Sequence, residues 1–377
     1  MEQHSHGAGV PLQIRSERPR SANVADFAPI SIRDEQWRYL PVDRLKGLAK
    51  VEDIVEYMGD LQLIGPAETA WITAQDTRFG SAGLPEDRIS AAAWSSSDAA
   101  YLITVSGEQT EPVVLTIDSK ETEPAALHII VESLAHSRAT VVIDHRGKAQ
   151  FAENVEILVG DESQLTVVSV QDWQPGSVHT SAQFGRIGRN ASLKHIVVSL
   201  GGDTVRVTPA VEFAAPGGSV ELFGVYFADS DQHLEHRPFV DHNQPNCTSR
   251  VTYKGALQGD KAHTVWVGDV LIRKEAEGTD TYELNRNLLL TDGARADSVP
   301  NLEIETGQIE GAGHASASGR FDDEHLFYLQ ARGISELEAR RLVVKGFLNE
   351  VVAQIGIEAL ETRLNQSIEK ELSRSVK

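Results

Sequence analysis

His314 is the residue whose chemistry stands out first, because it lies alone in the small-residue run GAGHASAS. A neutral imidazole binds iron, zinc or copper, and it also exchanges a proton near pH 7. The glycine, alanine and serine neighbours leave the ring accessible and allow another chain to approach closely. Taken locally, these residues still favour a histidine in a glycine-rich turn at a domain junction over a ligand.

A second set of potential ligands lies in the segment DSDQHLEHRPFVDHNQPNC, residues 229–247. The side chains that could bind a metal there are Asp231, His233, Glu235, His236, Asp241, His242 and Cys247. Pro238 and Pro245 interrupt the segment, and neither HExxH nor CxxC spacing occurs. We therefore expect a polar strand-and-turn region with one histidine in the core rather than a metal site.

Cys247 is the only cysteine among the 377 residues, so the chain forms no intramolecular disulfide. A single cysteine also excludes a cysteine-rich zinc or cluster site built by this chain alone. No base stands at an obvious spacing from Cys247, and we expect a buried structural thiol. The GK[ST] phosphate loop, the dinucleotide fingerprint and the GxSxG motif are also missing. The residues alone therefore describe no complete catalytic site.

The composition narrows the class of partner. Lys and Arg number 35 against 55 Asp and Glu, a net charge of −20, which argues against nucleic acid or an anionic membrane as the main target. Residues 1–30 have no apolar signal core and are expected to form a disordered leader. No run approaches the roughly 18 apolar residues of a membrane span. A cytoplasmic protein is expected.

The elements that must position these residues change character twice along the chain. Residues 31–98 predict an N-terminal helical and loop region, and the small-residue stretch at residues 80–100 is interpreted as a linker. Residues 99–320 alternate apolar and polar side chains in short runs, which predicts strands. Similar turn-and-strand units begin at Gly160, Gly188 and Ala215, at steps of 28 and 27 residues. Such recurrence favours a β-helix of stacked coils, with a large antiparallel sandwich as the second choice.

Residues 321–377 predict a C-terminal helical domain. Ser335 and Glu338 have the spacing of a capping box at the start of its main helix. One face of that helix carries Leu337, Leu342, Val343, Phe347 and Val351. A narrower apolar stripe with charged flanks continues from Ile357 to Leu372, and it suits docking on a partner as much as packing on the core.

From His242 to Val352 the chain resembles the SufB/SufD family of iron–sulfur cluster assembly scaffolds. The matching pieces, in order, are DHNQPNCTSRVTYKG, VWVGDVLIRKEAEGTDTYELNRNLLLTDGARADSVPNLEI and GHASASGRFDDEHLFYLQARGISELEARRLVVKGF. The segment DEQWRYLPVDRL is similar to the N-terminal helical segment of SufD. The relative length and the paucity of cysteine favour the SufD type over the SufB type.

The resemblance implies a right-handed parallel β-helix core between the N-terminal helical region and the C-terminal helical domain. It also implies a SufBCD-type complex, in which the chain forms a heterodimer with a SufB-like paralogue through the β-helix. A SufC-type ABC ATPase would bind the C-terminal helical domain at the five residues Leu337, Leu342, Val343, Phe347 and Val351. The chain itself is then a scaffold and not an enzyme, because ATP hydrolysis belongs to the partner.

Within this resemblance the LFYL and ARGI anchors align His314 with an interface histidine linked to iron entry. His314 is therefore expected to bind iron or a nascent iron–sulfur cluster transiently, in a site shared with the SufB-like partner. Many relatives carry a cysteine two residues earlier, where this chain has Ala312. Thiolate ligands would then come from the partner, and mixed histidine and cysteine ligation of iron clusters is chemically reasonable.

The alternative function is a β-helix enzyme acting on acidic polysaccharide. Such an enzyme needs a carboxylate or basic cluster on one face of the coils, and normally a secretion signal. The sequence leaves open whether flavin binds the complex, which donor delivers iron and which type of cluster forms. It also leaves open whether the isolated chain forms homodimers.

Overall fold

The computed structural model describes residues 18–120, 122–320 and 323–374. Its strands are β1 (Val55–Glu56), β2 (Leu61–Ile64), β3 (Glu68–Thr73), β4 (Ala99–Val105), β5 (Val113–Ser119), β6 (Pro124–Ser133), β7 (Arg138–Gly147), β8 (Gln150–Val159), β9 (Gln164–Trp173), β10 (Val178–Ile187), β11 (Ser192–Ser199), β12 (Thr204–Phe213), β13 (Ser219–Ala228), β14 (His233–His236), β15 (Phe239–His242), β16 (Thr248–Leu257), β17 (His263–Ile272), β18 (Asp280–Leu289), β19 (Arg295–Ile304) and β20 (Gly311–Arg320). The α-helices are α1 (Arg88–Ser95), α2 (Asp323–Gln330), α3 (Glu336–Val352) and α4 (Glu358–Arg374), and short 3-10 helices lie at Val24–Asp26, Val42–Ala49 and Val51–Asp53.

The strands from β4 onward form a β-solenoid of about eight turns. Each coil places one strand in sheet A, which runs from β3 to β19, and the next in sheet B, which runs from β2 to β20. Neighbouring coils pair in parallel: Gln164 lies opposite Ser192, and Ser192 opposite Ser219. These steps of 28 and 27 residues confirm the period seen in the sequence. The predicted β-helix is confirmed, and the antiparallel sandwich is wrong.

Both faces of most strands are buried, which explains their nearly continuous apolar runs. The inner face fills the coil with stacked valine, leucine and isoleucine side chains. The outer face of sheet B packs under α3 and α4, where Val198 and Phe227 belong to the same cluster as Leu348. The outer face of sheet A is covered by the N-terminal region, in which Trp37 and Leu40 are buried.

The two ends of the β-helix differ. At the first end, β3 pairs with β4 and β2 pairs with β5, and both pairings are antiparallel. At the other end β19 and β20 are the last strands of their sheets, and no strand in the described part of the chain pairs with their outer edges. One end is therefore capped by the chain itself, and the other presents two ten-residue strand edges.

The stretch at residues 80–100 is not a linker, because it contains the buried helix α1. The Asp87 carboxylate accepts hydrogen bonds from the backbone N–H groups of Ile89 and Ser90, at 2.9 Å and 2.8 Å, and so caps the helix. The buried Ala91, Ala92 and Ala93 allow close packing against sheet A. The linker prediction failed because small residues serve close helix packing as well as flexible connections.

The N-terminal region contains 3-10 helices, short strands and loops around α1, so it is less helical than predicted. Residues 18–30 fall within the predicted leader. Within that segment Phe27 is buried and Arg18 pairs with Glu86 and Asp269, at 3.1 Å and 2.5 Å. The leader prediction for residues 1–17 lies outside the described residues. Among the described helices, none combines the length and apolar character needed to cross a membrane.

Candidate functional site

His314 lies in β20, the last strand of sheet B. Its in-register neighbour on β18 is Glu283, which belongs to the buried, alternate residues of that strand. Because in-register residues of parallel strands point to the same face, the His314 side chain is on the inner face of the coil. No further coil of the described chain stacks on β20, and the ring is exposed. The structure places an accessible imidazole at the open end of the β-helix.

The column of inner residues that leads to His314 is mostly apolar. In register from the first coil, it consists of Val113, Val141, Val167, His195, Leu222, Val251, Glu283 and His314. Burial lowers the pKa of His195 to about 4, so this ring is neutral and fills space. Glu283 and His314 are therefore consecutive polar members at the end of a mostly apolar column.

Glu283 is 1% exposed, and neither carboxylate oxygen has a hydrogen-bond partner among the described residues. Burial, reinforced by the charge of Asp269, raises the pKa of Glu283 to about 8. A Cβ atom on Gly268 would lie 2.9 Å from the Glu283 Oε1 atom and 2.3 Å from the Trp266 ring. The absence of a side chain at Gly268 therefore provides the space that the carboxylate occupies.

The other polar residues on the inner face of β18 are hydrogen-bonded. The Thr281 hydroxyl lies 2.5 Å from that of Ser249. Asn285 donates to the Tyr226 hydroxyl at 2.9 Å, and that hydroxyl donates to Asn287 at 2.7 Å. This network reaches the open end, where Asn287 donates to the Ser318 hydroxyl at 3.2 Å. In the inner row of β18, Glu283 is therefore the exception, because the other polar side chains there have hydrogen-bond partners.

Ala312 occupies the position two residues before His314, on the same inner face of β20, in register with Thr281. A cysteine there, as in the relatives considered above, would project into the same open end as the imidazole. The methyl group of Ala312 offers no ligand. The described chain therefore offers nitrogen and oxygen atoms at this end, and no sulfur atom.

His145, Glu153 and His179 form a second, fully buried group of potential ligands, whose ligand atoms lie within 4.8 Å of one another. The His145 Nδ1 atom lies 2.9 Å from the Val170 carbonyl, so Nδ1 donates a hydrogen bond. The His145 Nε2 atom lies 3.0 Å from Glu153 Oε2. Burial opposes ionisation of Glu153, but the charge of His145 outweighs it and lowers the carboxyl pKa. His145 is therefore an imidazolium paired with a carboxylate.

His179 completes this group in a form that does not suit a metal. The Trp173 indole N–H donates to His179 Nδ1 at 3.0 Å, so the ring proton is on Nε2, 3.3 Å from Glu153 Oε1. A metal on Nε2 would need a proton on Nδ1, which would then face the indole N–H. Burial lowers the pKa of His179, in agreement with a neutral ring. These contacts favour a buried ion pair over a metal site.

The histidines of residues 229–247 do not converge. His236 and His242 are buried, and their Nε2 atoms lie 2.9 Å and 2.8 Å from the hydroxyls of Ser199 and Ser249. His233 is also buried and faces other partners. The prediction of a single core histidine is wrong, because all three of these histidines are buried. The interior of the coil buries the inner face of these strands, and the N-terminal region buries the outer face.

Cys247 is fully buried, with its Sγ atom 3.5 Å from the Pro245 carbonyl oxygen and 3.8 Å from that of Ala215. Burial raises the pKa of its thiol, which keeps it protonated. These surroundings are those of a structural thiol.

The five residues predicted to contact an ATPase have different environments. Val351 is buried in the cluster between α3 and sheet B, and Phe347 packs at its margin. Val343 is half-buried, whereas Leu342 is 49% exposed. The side chain of Leu337 lies outside the described residues. Leu342 is thus the member of this set that is most available to a partner.

Sequence reasoning missed Glu283. The available signal was the segment TDTYELNRNLLL, in which every second residue is polar: Thr281, Glu283, Asn285 and Asn287. A polar stripe of period two would normally be assigned to the solvent face. Here the opposite face carries Leu284 and Leu288, so the alternation alone would assign the polar stripe to solvent and the leucines to the interior.

The comparisons with known proteins agree with this architecture. Residues 115–347 match the family described as SUF system FeS cluster assembly, SufBD core domain. An iron–sulfur cluster assembly SufBD family protein of Mycobacterium tuberculosis is 51% identical over 361 residues, which cover 90% of this chain and 88% of the relative. A second SufBD family protein of that organism is 28% identical over 223 residues, which are 59% of this chain and 26% of the relative. The SufD of Plasmodium falciparum is 31% identical over 183 residues, 48% of this chain and 12% of the relative.

Proposed function

The chain belongs to the SufBD family of iron–sulfur cluster assembly proteins, and from that premise we propose that it is the SufD-like scaffold of a SufBCD-type complex. It pairs with a SufB-like paralogue through the open end of the β-helix and binds a SufC-type ATPase through its helical domain. Iron enters and a cluster begins to form at the paired end. The chain is a scaffold, and its ATPase partner hydrolyses ATP.

The observation that carries this proposal is the position of His314 on a coil that the described chain leaves uncovered. Exposed strand edges readily accept another chain's strands, because their backbone N–H and C=O groups are unpaired. Pairing through β19 and β20 would extend both sheets into the partner. It would also bring the partner's side chains over His314.

Two family members in one organism support a heteromeric pair over a homodimer. The Mycobacterium tuberculosis relatives match this chain at 51% and 28% identity, so they are distinct members of the family. The mismatch at Ala312 points the same way, because a homodimer would bring together two imidazoles and no cysteine. The single buried thiol is in keeping with a reducing cytoplasmic location.

Pairing is tested by coexpression with the SufB-like paralogue and measurement of the amount that copurifies. Ser316 is exposed on the inner face of β20, whereas Ala317 is exposed on the outer face of the same strand. We expect Ser316→Arg to lower recovery of the partner about tenfold or more, because it places a charge where the next coil stacks. Ala317→Arg is the matched control and should stay close to wild type. Undiminished recovery with Ser316→Arg would contradict pairing through this end.

A further inference from the structure

His314 alone provides a single ligand atom for an iron ion. One imidazole binds a divalent iron ion weakly, and Fe(II) in proteins is commonly held by histidine together with carboxylate. Towards the interior, the next residue of the His314 column is Glu283. Adjacent strands of a sheet are about 4.8 Å apart, so the two side chains leave the backbone as close neighbours on one face.

Glu283 has no structural role that its contacts reveal. Its inward neighbour in the column is Val251, and neither of its oxygens is hydrogen-bonded within the described chain. A buried carboxyl group without a partner destabilises a fold, whereas a leucine there would cost less. The other polar residues in the inner row of β18 do have hydrogen-bond partners.

The Glu283 carboxyl group is itself buried, and the open end of the β-helix is the side of it that the least protein covers. Only the final coil lies between Glu283 and the open end, and the member of that coil in register with Glu283 is the exposed His314. The small side chain of Ala312 flanks the histidine on the same face. An ion that reaches His314 therefore meets Glu283 next.

We propose that Glu283 and His314 together bind the incoming ferrous ion, as an oxygen and nitrogen ligand pair at the open end of the β-helix. This inference rests on the proposed role of the chain in iron entry. The pair holds the ion on this chain before thiolates from the partner complete its coordination. Glu283, a hard oxygen ligand, favours free Fe(II) over soft metals, and thiolates are better suited to the assembled cluster.

The test is anaerobic titration of the purified full-length chain with Fe(II) alone, with the dissociation constant measured for each variant. Glu283→Gln keeps the shape of the side chain and removes the carboxyl group that would give up its proton to bind iron, so it should fold about as well as wild type. We expect Glu283→Gln and His314→Ala each to weaken Fe(II) binding about tenfold or more. Glu310→Gln, the same substitution at an exposed position just before β20, is the matched control and should change the constant little.

The outcomes separate the two proposals. If His314→Ala weakens binding but Glu283→Gln does not, the ligand pair is wrong and the proposed iron entry at His314 stands. If Glu283→Gln weakens binding but His314→Ala does not, the pair is also wrong. If wild type binds Fe(II) no better than the double variant Glu283→Gln/His314→Ala, both iron binding at His314 and the ligand pair are contradicted for this chain. Copurification of the SufB-like partner, measured on the same variants, tests the scaffold role independently.

Discussion

At the scale of single residues, burial decides which ionisable groups can act. His145 and Glu153 are buried together as an ion pair, which fixes their charges and satisfies their hydrogen bonds. Glu283 is buried without such a partner among the described residues. Glu153 therefore stabilises the fold through its ion pair, whereas the carboxyl group of Glu283 has no hydrogen-bond partner in the described part of the chain.

The buried pair makes a prediction about stability and pH. Burial alone would lower the pKa of His145, but the charge and hydrogen bond of Glu153 raise it overall. A raised histidine pKa contributes stability below the unfolded value near 6.5, and this contribution is lost as pH rises through the folded value. A lowered Glu153 pKa contributes stability above its unfolded value near 4.5. The pair therefore contributes most to the free energy of unfolding at pH values between these two unfolded-state pKa values.

We expect Glu153→Gln to lower the free energy of unfolding by about 3–5 kcal/mol at pH 5.5, because it leaves a buried imidazole without its counter-charge. The difference from wild type should shrink as the pH rises above 6.5 and through the raised pKa of His145. Urea unfolding at several pH values measures both. The double variant His145→Gln/Glu153→Gln, which lacks both titrating groups, provides the control. A difference between wild type and Glu153→Gln that is constant with pH would contradict the charge assignment.

At the scale of elements, α3 has two distinct faces. Val344, Leu348 and Val351 are buried against sheet B, while Leu342 is exposed. The bidentate ion pair of Arg363 with the buried Asp144, at 2.9 Å and 2.8 Å, also ties α4 to the β-helix. Deleting the helical domain would therefore uncover a large apolar surface of sheet B. Point substitutions on the exposed face are the sharper probe of partner binding.

We expect Leu342→Asp to weaken binding of the SufC-type ATPase about tenfold or more, because it removes apolar contact area and introduces a charge. The thermal unfolding temperature should stay near that of wild type. Ile32→Asp is the matched control, since Ile32 is 58% exposed and lies in the N-terminal region. Binding is measured with the purified ATPase by titration calorimetry. Equal affinity for wild type, Leu342→Asp and Ile32→Asp would rule out docking through the exposed face of α3.

At the scale of the whole molecule, the repeat was visible in the sequence because each coil returns to the same register after nearly the same number of residues. The helical switch after residue 320 was visible for a similar reason, since capping and periodicity are local signals. The grouping of His145, Glu153 and His179 was not predictable. These residues come from three strands, β7, β8 and β10, and only the stacking of coils brings them together.

The open end of the β-helix likewise combines residues that local motifs indicate with residues that only the stacking of coils brings together. His314 was found through motifs that surround it in the chain, whereas its neighbour Glu283 is 31 residues away and is defined by strand register. The linker prediction for residues 80–100, which contain α1, failed for a different reason, because alanine and serine residues carry little information about burial. Local patterns therefore predicted the architecture, and the contacts between coils had to be seen in three dimensions.

The central claim is that His314 brings iron to the paired end of the scaffold. It is tested most directly by anaerobic cluster reconstitution on the complex with the SufB-like paralogue and the ATPase, measured as iron and sulfide bound per complex. His136→Ala is the matched control, since this histidine is exposed in a turn between β6 and β7. We predict that His314→Ala lowers the cluster yield about fivefold or more while the complex stays intact, and that His136→Ala does not. A wild-type cluster yield from the intact His314→Ala complex would contradict the claim.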